Sequence, residues 1–322
     1  MSGGPQAVPA VRAVVFAYHN VGARCLRVLR AHGVEVALVV THADNPAENI
    51  WFERVADLAH DYDIPVATPD DPNTPDFAAR LRALQPDFFF SFYYRLMLKP
   101  ALLAIPTRGG YNMHGSLLPR YRGRVPVNWA VLHGERETGA TLHRMVDKPD
   151  AGEIVARQAV PILPDDTAGE VFLKVTLAAE LALDRVLPAL LAGTAPHLQP
   201  DLAAGSYFGG RKPEDGRIDW SQPAAAVHNL IRAVAPPYPG AFFDFGGQRI
   251  VVTRSLSRPG WSGPGGHPEL YTDGNRLFAR CNDGGVLSIL ALEVGGEEIA
   301  PAALPARLGH NPIPLPLSFP LV

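Results

Sequence analysis

Apolar residues along this chain fall into short blocks, separated by stretches in which they recur near helical spacing. Val11 to Ala17, Val34 to Val40 and Phe88 to Phe92 are runs suited to strands buried on both faces. Between them, Gly22 to His32, Asn49 to Asp61 and Phe77 to Leu84 predict helices, and Ile64-Pro-Val66 a short extended step. Gly110 to His114 reads as another strand, Val127 to His133 as a short helix, and Thr141 to Val146 and Glu153 to Ile162 as strands. Asp165-Asp-Thr167 supplies cap residues for a long helix, Ala168 to Leu191. Beyond Gly205 the pattern changes. A turn-rich stretch, Ser206 to Gly216, precedes one helix, Pro223 to Val234. Alternating strands follow at Ala241 to Phe245, Gln248 to Thr253, Arg276 to Arg280 and Val286 to Leu292. Gly246-Gly247, Asp273-Gly274 and Asp283-Gly284 are hairpin signals between them.

The strand–helix alternation predicts a Rossmann-like, mainly parallel α/β sheet whose ligands sit at the carboxyl ends of its strands. The C-terminal pattern predicts a smaller, OB-like β-barrel. The expected organisation is a flexible N-terminus at 1–10, a catalytic domain at 11–204, a linker at 205–216 and the barrel domain at 217–322. No internal repeat is visible. The 322 residues, 47% hydrophobic and 19% charged, have a globular composition. No apolar run approaches the roughly 20 residues of a membrane span, and residues 1–10 lack the features of a signal peptide. The expected setting is the cytoplasm, where Cys25 and Cys281 remain free thiols. A net charge of −3 leaves no footprint for bulk nucleic-acid binding. Neither G-x-G-x-x-G nor G-x-x-x-x-G-K-[ST] occurs, which argues against dinucleotide and ATP sites of those kinds.

The densest chemistry lies in Tyr111 to Val125. Strand alternation puts Asn112 and His114 on one face, an amide donor and an imidazole able to serve one reacting carbonyl. Asp147-Lys-Pro-Asp-Ala-Gly152 is a tight loop that fixes one carboxylate. Asp150 is expected to join the pair because both segments end at the same edge of a parallel sheet, and to raise the His114 pKa. With no G-x-S-x-G elbow, Ser116 reads as a hydrogen-bonding turn residue, and direct acyl transfer fits the set better than an acyl-enzyme. A polar strand end without catalysis is the competing reading. His143 reads as a packed strand residue, and His42 with Asp44 as helix-capping groups, so no metal site is expected.

Asn112-x-His114, Ser116-Leu-Leu-Pro-x-Tyr-Arg-Gly123 and Asp150 resemble the motif of the 10-formyltetrahydrofolate-dependent formyltransferases. That family includes methionyl-tRNA and sugar-nucleotide N-formyltransferases. The likeness extends through Val14 to His19, Thr41 to Pro46, Ser91 to Arg95, Glu137 to Val146 and Val234 to Phe242. It is strongest toward the formyltransferase half of bifunctional polymyxin-resistance proteins, which formylate UDP-4-amino-4-deoxy-L-arabinose for lipid A modification. The resemblance implies 10-formyltetrahydrofolate as cosubstrate, with Asn112 stabilising the oxyanion, His114 transferring the proton and Asp150 tuning it. It also implies folate contacts at Leu96, Met97, Leu98, Arg124, Val146, Asp147, Lys148, Pro149 and Asp150. Arg120, Arg122 and the Tyr207 to Arg211 stretch are nucleotide candidates by charge and position. With the sequence ending at Val322, oxidative decarboxylation is expected to belong to a separate protein. The alternatives are another dTDP- or UDP-amino sugar, Met-tRNA, or a non-enzymatic folate-binding regulator; a pI near 6.4 weighs against the tRNA.

Overall fold

The computed structural model describes residues 11–45, 50–263 and 266–315, so the N-terminal segment 1–10 lies outside the described residues. Residue contacts divide the chain into two compact units: 1–123, 139–160 and 174–208, and 124–138, 161–173 and 209–322.

In the first unit, β1 (Arg12–Ala17) carries five consecutive buried residues and leads into α1 (His19–Ala31), whose Val21, Cys25, Leu26, Val28 and Leu29 are buried. Next come β2 (Glu35–Val40), α2 (Val55–Asp61), β3 (Val66–Ala67), α3 (Pro75–Ala83), β4 (Phe88–Phe92), α4 (Pro100–Leu103) and β5 (Gly110–His114). The helix expected over Asn49 to Asp61 is shorter. Asn49 lies outside the described residues, and Phe52 is not helical but stacks on His19 with ring centroids 4.0 Å apart. Ring packing against the end of β1 takes these residues out of the helix. After β5 the chain forms β6 (Arg122–Gly123), passes through α5 (Pro126–Leu132), which belongs to the second unit, and continues as β7 (Glu137–Arg144), β8 (Ile154–Pro161), α6 (Ala168–Ala192) and β9 (Tyr207–Phe208).

The sheet order is β3-β2-β1-β4-β5-β7-β8. The pairs β2–β3, β1–β2, β1–β4 and β4–β5 are parallel, whereas β5–β7 is antiparallel. Order reverses between β1 and β4, the crevice position where open α/β sheets receive ligands. The predicted turn-rich stretch after Gly205 is partly built into the first unit, since β9 pairs with β6. At Gly123, with φ of +96°, an added Cβ would strike the Phe208 carbonyl, so that pairing needs the glycine.

In the second unit, α7 (Ala224–Val234) precedes β10 (Ala241–Phe245), β11 (Gln248–Arg258), β12 (Glu269–Asp273), β13 (Arg276–Arg280), β14 (Val286–Val294), β15 (Glu297–Ile299), α8 (Leu304–Leu308) and β16 (Ile313–Pro314). The order β10-β11-β14-β13-β12-β16 is an antiparallel half-barrel, and β15 pairs with β14. Among the described residues no pairing joins β10 to β16. Trp220, Ile231, Phe243 and Leu287 share its buried core. The two-residue turns at Gly246-Gly247 and Gly274-Asn275 lie where the hairpin signals put them.

Candidate active site

Asn112 and His114 leave the carboxyl end of β5 on one face, and register places His143 of β7 directly opposite Asn112. Residues directly opposite in an antiparallel pair share a face. Asn112 Nδ2 accordingly lies 3.1 Å from His143 Nε2. The other His143 nitrogen, Nδ1, faces the Arg144 carbonyl at 3.0 Å, which fixes the orientation of the ring beside Asn112. The amide thus has a fixed neighbour. Reading His143 as packing alone missed this, because nothing in the sequence signals that β7 runs antiparallel beside β5.

Asp150 does join the pair, by a route other than the expected one. Because β7 is antiparallel to β5, Arg144 pairs with Tyr111 and β7 ends away from His114. The loop after it doubles back instead. Asp150 sits in the left-handed region with φ of +50°. At Gly152 an added Cβ would strike the Arg144 carbonyl, so glycine is required for the tight return. The Asp150 carboxylate then lies 3.5 Å from His114 Nδ1 and 3.4 Å from His143 Nε2 through Oδ1, while Oδ2 accepts from the Gly123 N–H at 2.9 Å. Tyr121, with φ of +58°, is left-handed too. Such backbone costs about 1–3 kcal/mol per residue and collects where surrounding structure holds a functional geometry.

The loop between β5 and β6 is pinned from within. His114 Nε2 donates to the Tyr121 carbonyl at 2.8 Å, and Ser116 Oγ to the Arg120 carbonyl at 2.6 Å. The buried Ser116 is a turn-holding group, as expected, and not a presented nucleophile. Thr141 Oγ1 donates to the Ser116 carbonyl at 2.6 Å and accepts from the Leu118 N–H.

Electrostatics depart from expectation at His114. The side chain is buried, and burial pulls its pKa below the ordinary value more strongly than the Asp150 charge raises it. The raised pKa foreseen from an adjacent Asp is not found; the imidazole rests neutral, with Nδ1 open to a proton that Asp150 would stabilise. Burial also opposes ionisation of Asp150, but His114, His143 and the Gly123 N–H outweigh it and hold the carboxyl well below the usual carboxylate range.

The same physics makes the protein acid-sensitive. Burial lowers the pKa of His114 and His228, and brings His19 down to about 3. An imidazole depressed in the folded state stabilises above its unfolded pKa and loses that contribution as pH falls toward the folded value. For His19 the window runs from 6.5 to about 3. We expect urea midpoints to drop between pH 7 and 4.5, His19 accounting for about 2 kcal/mol. A His19→Gln variant should show a shallower pH slope; a flat wild-type midpoint would contradict this account.

Among the residues expected at the folate, Leu96, Met97 and Val146 are large exposed apolar groups, while Leu98 is consumed by the core beside Phe89 and Leu102. Asp147 and Lys148 are exposed and Pro149 half-buried, and Arg124 is exposed on the second unit. Of the nucleotide candidates, Arg122 is buried and Arg120 exposed. His42 Nε2 accepts from the Arg95 N–H at 3.0 Å, and Asp44 pairs with Arg54 at 2.8 Å. Among the described residues no group of His, Cys, Asp and Glu is disposed to hold a metal, and no helix is long and apolar enough to cross a membrane.

Comparison with known proteins agrees with this architecture. WlaRD, a sugar 3N-formyl transferase solved in the presence of dTDP and 5-N-formyl-THF, is 18% identical, with 86% of this chain and 96% of that one covered at a TM-score of 0.69. An N-formyltransferase from Helicobacter canadensis, in complex with folinic acid and dTDP-3-aminofucose, is 18% identical, with coverage of 90% and 100% and a TM-score of 0.70. HypX from Aquifex aeolicus, in complex with tetrahydrofolic acid, is 17% identical; 97% of this chain matches 50% of that one at a TM-score of 0.61. These likenesses establish the shared fold. The family description "Formyl transferase" matches residues 12–187, and "Formyl transferase, C-terminal domain" matches residues 211–307. With more than half of its length matched to the first description and residues 211–307 to the companion one, the chain belongs to the formyl transferase family.

Proposed function

We propose that this formyltransferase moves the formyl group of 10-formyltetrahydrofolate to the amine of a sugar nucleotide, UDP-4-amino-4-deoxy-L-arabinose being the preferred acceptor. The observation that carries the reading is the cluster of Asn112, His114, His143 and Asp150 at the end of β5. Its motif context in the sequence favours the sugar-nucleotide branch, and related folds are those of proteins solved with dTDP or a dTDP-amino sugar and with folates.

The folate supplies the activated formyl carbon. Exposed Leu96, Met97 and Val146 offer apolar surface to its flat ring, and the Asp147 to Asp150 loop offers polar contacts. Asn112 donates an N–H to the formyl oxygen as negative charge develops there, with His143 holding the amide in place. Neutral His114 takes the proton released by the attacking amine, and Asp150 stabilises the resulting imidazolium. Returning that proton to the departing folate nitrogen restores the site. Because amine and imidazole must both be neutral at attack, activity falls toward acid.

The deciding measurement compares UDP-4-amino-4-deoxy-L-arabinose, a dTDP-amino sugar and Met-tRNA as acceptors with one formyl donor. We expect the UDP sugar to give the highest kcat/KM. Preference for the dTDP sugar would correct the acceptor, and transfer to Met-tRNA alone would overturn the sugar reading.

A further inference from the structure

The face of β5 and β7 turned away from the catalytic cluster carries chemistry that formyl transfer leaves unused. Side chains alternate along a strand, so Tyr111 and Arg144, paired directly across β5 and β7, project opposite to the neighbouring pair Asn112 and His143. Tyr111 and Arg144 line a cavity of about 410 Å³, within the roughly 300–1,000 Å³ of small-molecule sites. Phe88, Arg108, Glu153, Leu190 and His197 complete its walls, and every lining residue belongs to the first unit. Phe88 and Leu190 are almost inaccessible and form an apolar floor, with the Tyr111 ring centroid 6.0 Å from that of Phe88.

Two guanidiniums face this cavity against one carboxylate. Arg108 is fixed in advance. One terminal nitrogen donates to the Leu190 and Leu191 carbonyls at the end of α6, and the guanidinium lies over the Phe88 ring, 4.5 Å from its centroid. Its other terminal nitrogen and Nε have no acceptor among the described residues. Arg144 has a half-exposed side chain and lies 3.7 Å from Glu153, too far for a hydrogen bond. Glu153 accepts instead from Gln199 Nε2 at 3.0 Å, so it neutralises Arg144 only loosely. The Tyr111 hydroxyl lies 3.1 Å from His197 Nε2, and burial pushes the phenol up, so this wall adds polar groups without negative charge. A cleft with low-dielectric walls and an excess of one charge concentrates the opposite ion, and guanidinium forks match carboxylate and phosphate oxygens.

We propose that this cavity is a second ligand site, taking a small molecule that joins a carboxylate or phosphate group to an apolar ring. The oxyanion accepts from the unspent N–H groups of Arg108 and from Arg144, while the ring lies against Phe88, Leu190 and Tyr111. A bare anion would leave the apolar floor and most of the volume unfilled, and an uncharged ring would leave both guanidiniums without a counter-ion. None of Asn112, His114, His143 and Asp150 lines the cavity. Its ligand therefore does not compete for the catalytic face, and the assignment is independent of which acceptor is formylated.

The test is titration of the full chain with phenyl phosphate, benzoate and uncharged phenol, followed by amide chemical shifts. We expect one or both oxyanions to bind and phenol to bind at least about tenfold more weakly; the tighter oxyanion tells phosphate from carboxylate ligands. Arg108→Gln should weaken the oxyanion about tenfold. Arg144→Gln, at a half-exposed side chain, should weaken it about three- to fivefold, an effect that shrinks at high salt. The Arg144 variant also keeps the test valid should loss of the α6 contacts make Arg108→Gln fold poorly. Asp150→Asn should leave the affinity unchanged. Failure of both oxyanions to bind, equal binding of phenol, or wild-type affinity in the Arg144 variant and in a folded Arg108 variant would overturn the site. An affinity that responds to Asp150→Asn and not to Arg144→Gln would put the anion at the catalytic face and overturn it too. No formyl donor or acceptor enters the titration, so each of these failures leaves the formyl-transfer reading standing.

Discussion

Replacing Asp150 by asparagine is expected to cut turnover about a hundred- to ten-thousandfold, the range for a positioned proton-transfer group, with folate affinity near wild type. The substitution isolates charge. Asparagine is similar in size, can still accept from the Gly123 N–H, and tolerates the left-handed backbone that Asp150 adopts at φ of +50°. What disappears is the carboxylate 3.5 Å from His114 Nδ1 and 3.4 Å from His143 Nε2. His114 is already depressed by burial, and Asp150 is the main influence raising it. Without that charge its pKa falls further, so proton capture from the amine becomes less favourable and the acid limb of the pH–rate profile moves to lower pH. An unchanged profile, or turnover within a few-fold of wild type, would remove Asp150 from the proposed mechanism.

Asn112→Ala is the second large expectation, a loss of about a hundred- to a thousandfold in kcat, near 3 kcal/mol of transition-state stabilisation. The amide is held by His143, whose ring is oriented in turn by the Arg144 carbonyl, so its donor is aimed before substrate arrives. Such preorganisation acts on charge that appears only as the amine attacks, and the effect should therefore fall on kcat with acceptor and folate KM nearly constant. A variant that loses affinity at unchanged kcat would make Asn112 a binding residue and leave the oxyanion without its proposed donor.

Much of this site was legible beforehand for a local reason. Strand periodicity alone pairs Asn112 with His114, and turn chemistry around Pro149 and Gly152 marks a carboxylate held in a tight loop. His143 was not legible, because its role depends on which strand lies beside β5 and in which direction it runs. The sign of the His114 shift was not legible either. Proximity to Asp150 is a pairwise matter, but desolvation depends on how every surrounding segment covers the ring. Leu98 shows the same limit: its neighbours Leu96 and Met97 are exposed, and it alone turns into the core.

By itself the sequence determined the strand and helix blocks, the change to hairpin-linked strands after Gly205, the Asn112–His114 pair and the family motif. These follow from short-range rules: side-chain alternation, capping, turn preference and residue spacing. Tertiary structure alone decided that β7 runs antiparallel beside β5, that Asp150 returns through a left-handed turn, and that His143 braces Asn112. Each of those depends on which distant segments exclude water from a group and which partners they bring to it, and such long-range burial leaves no periodic mark along the chain.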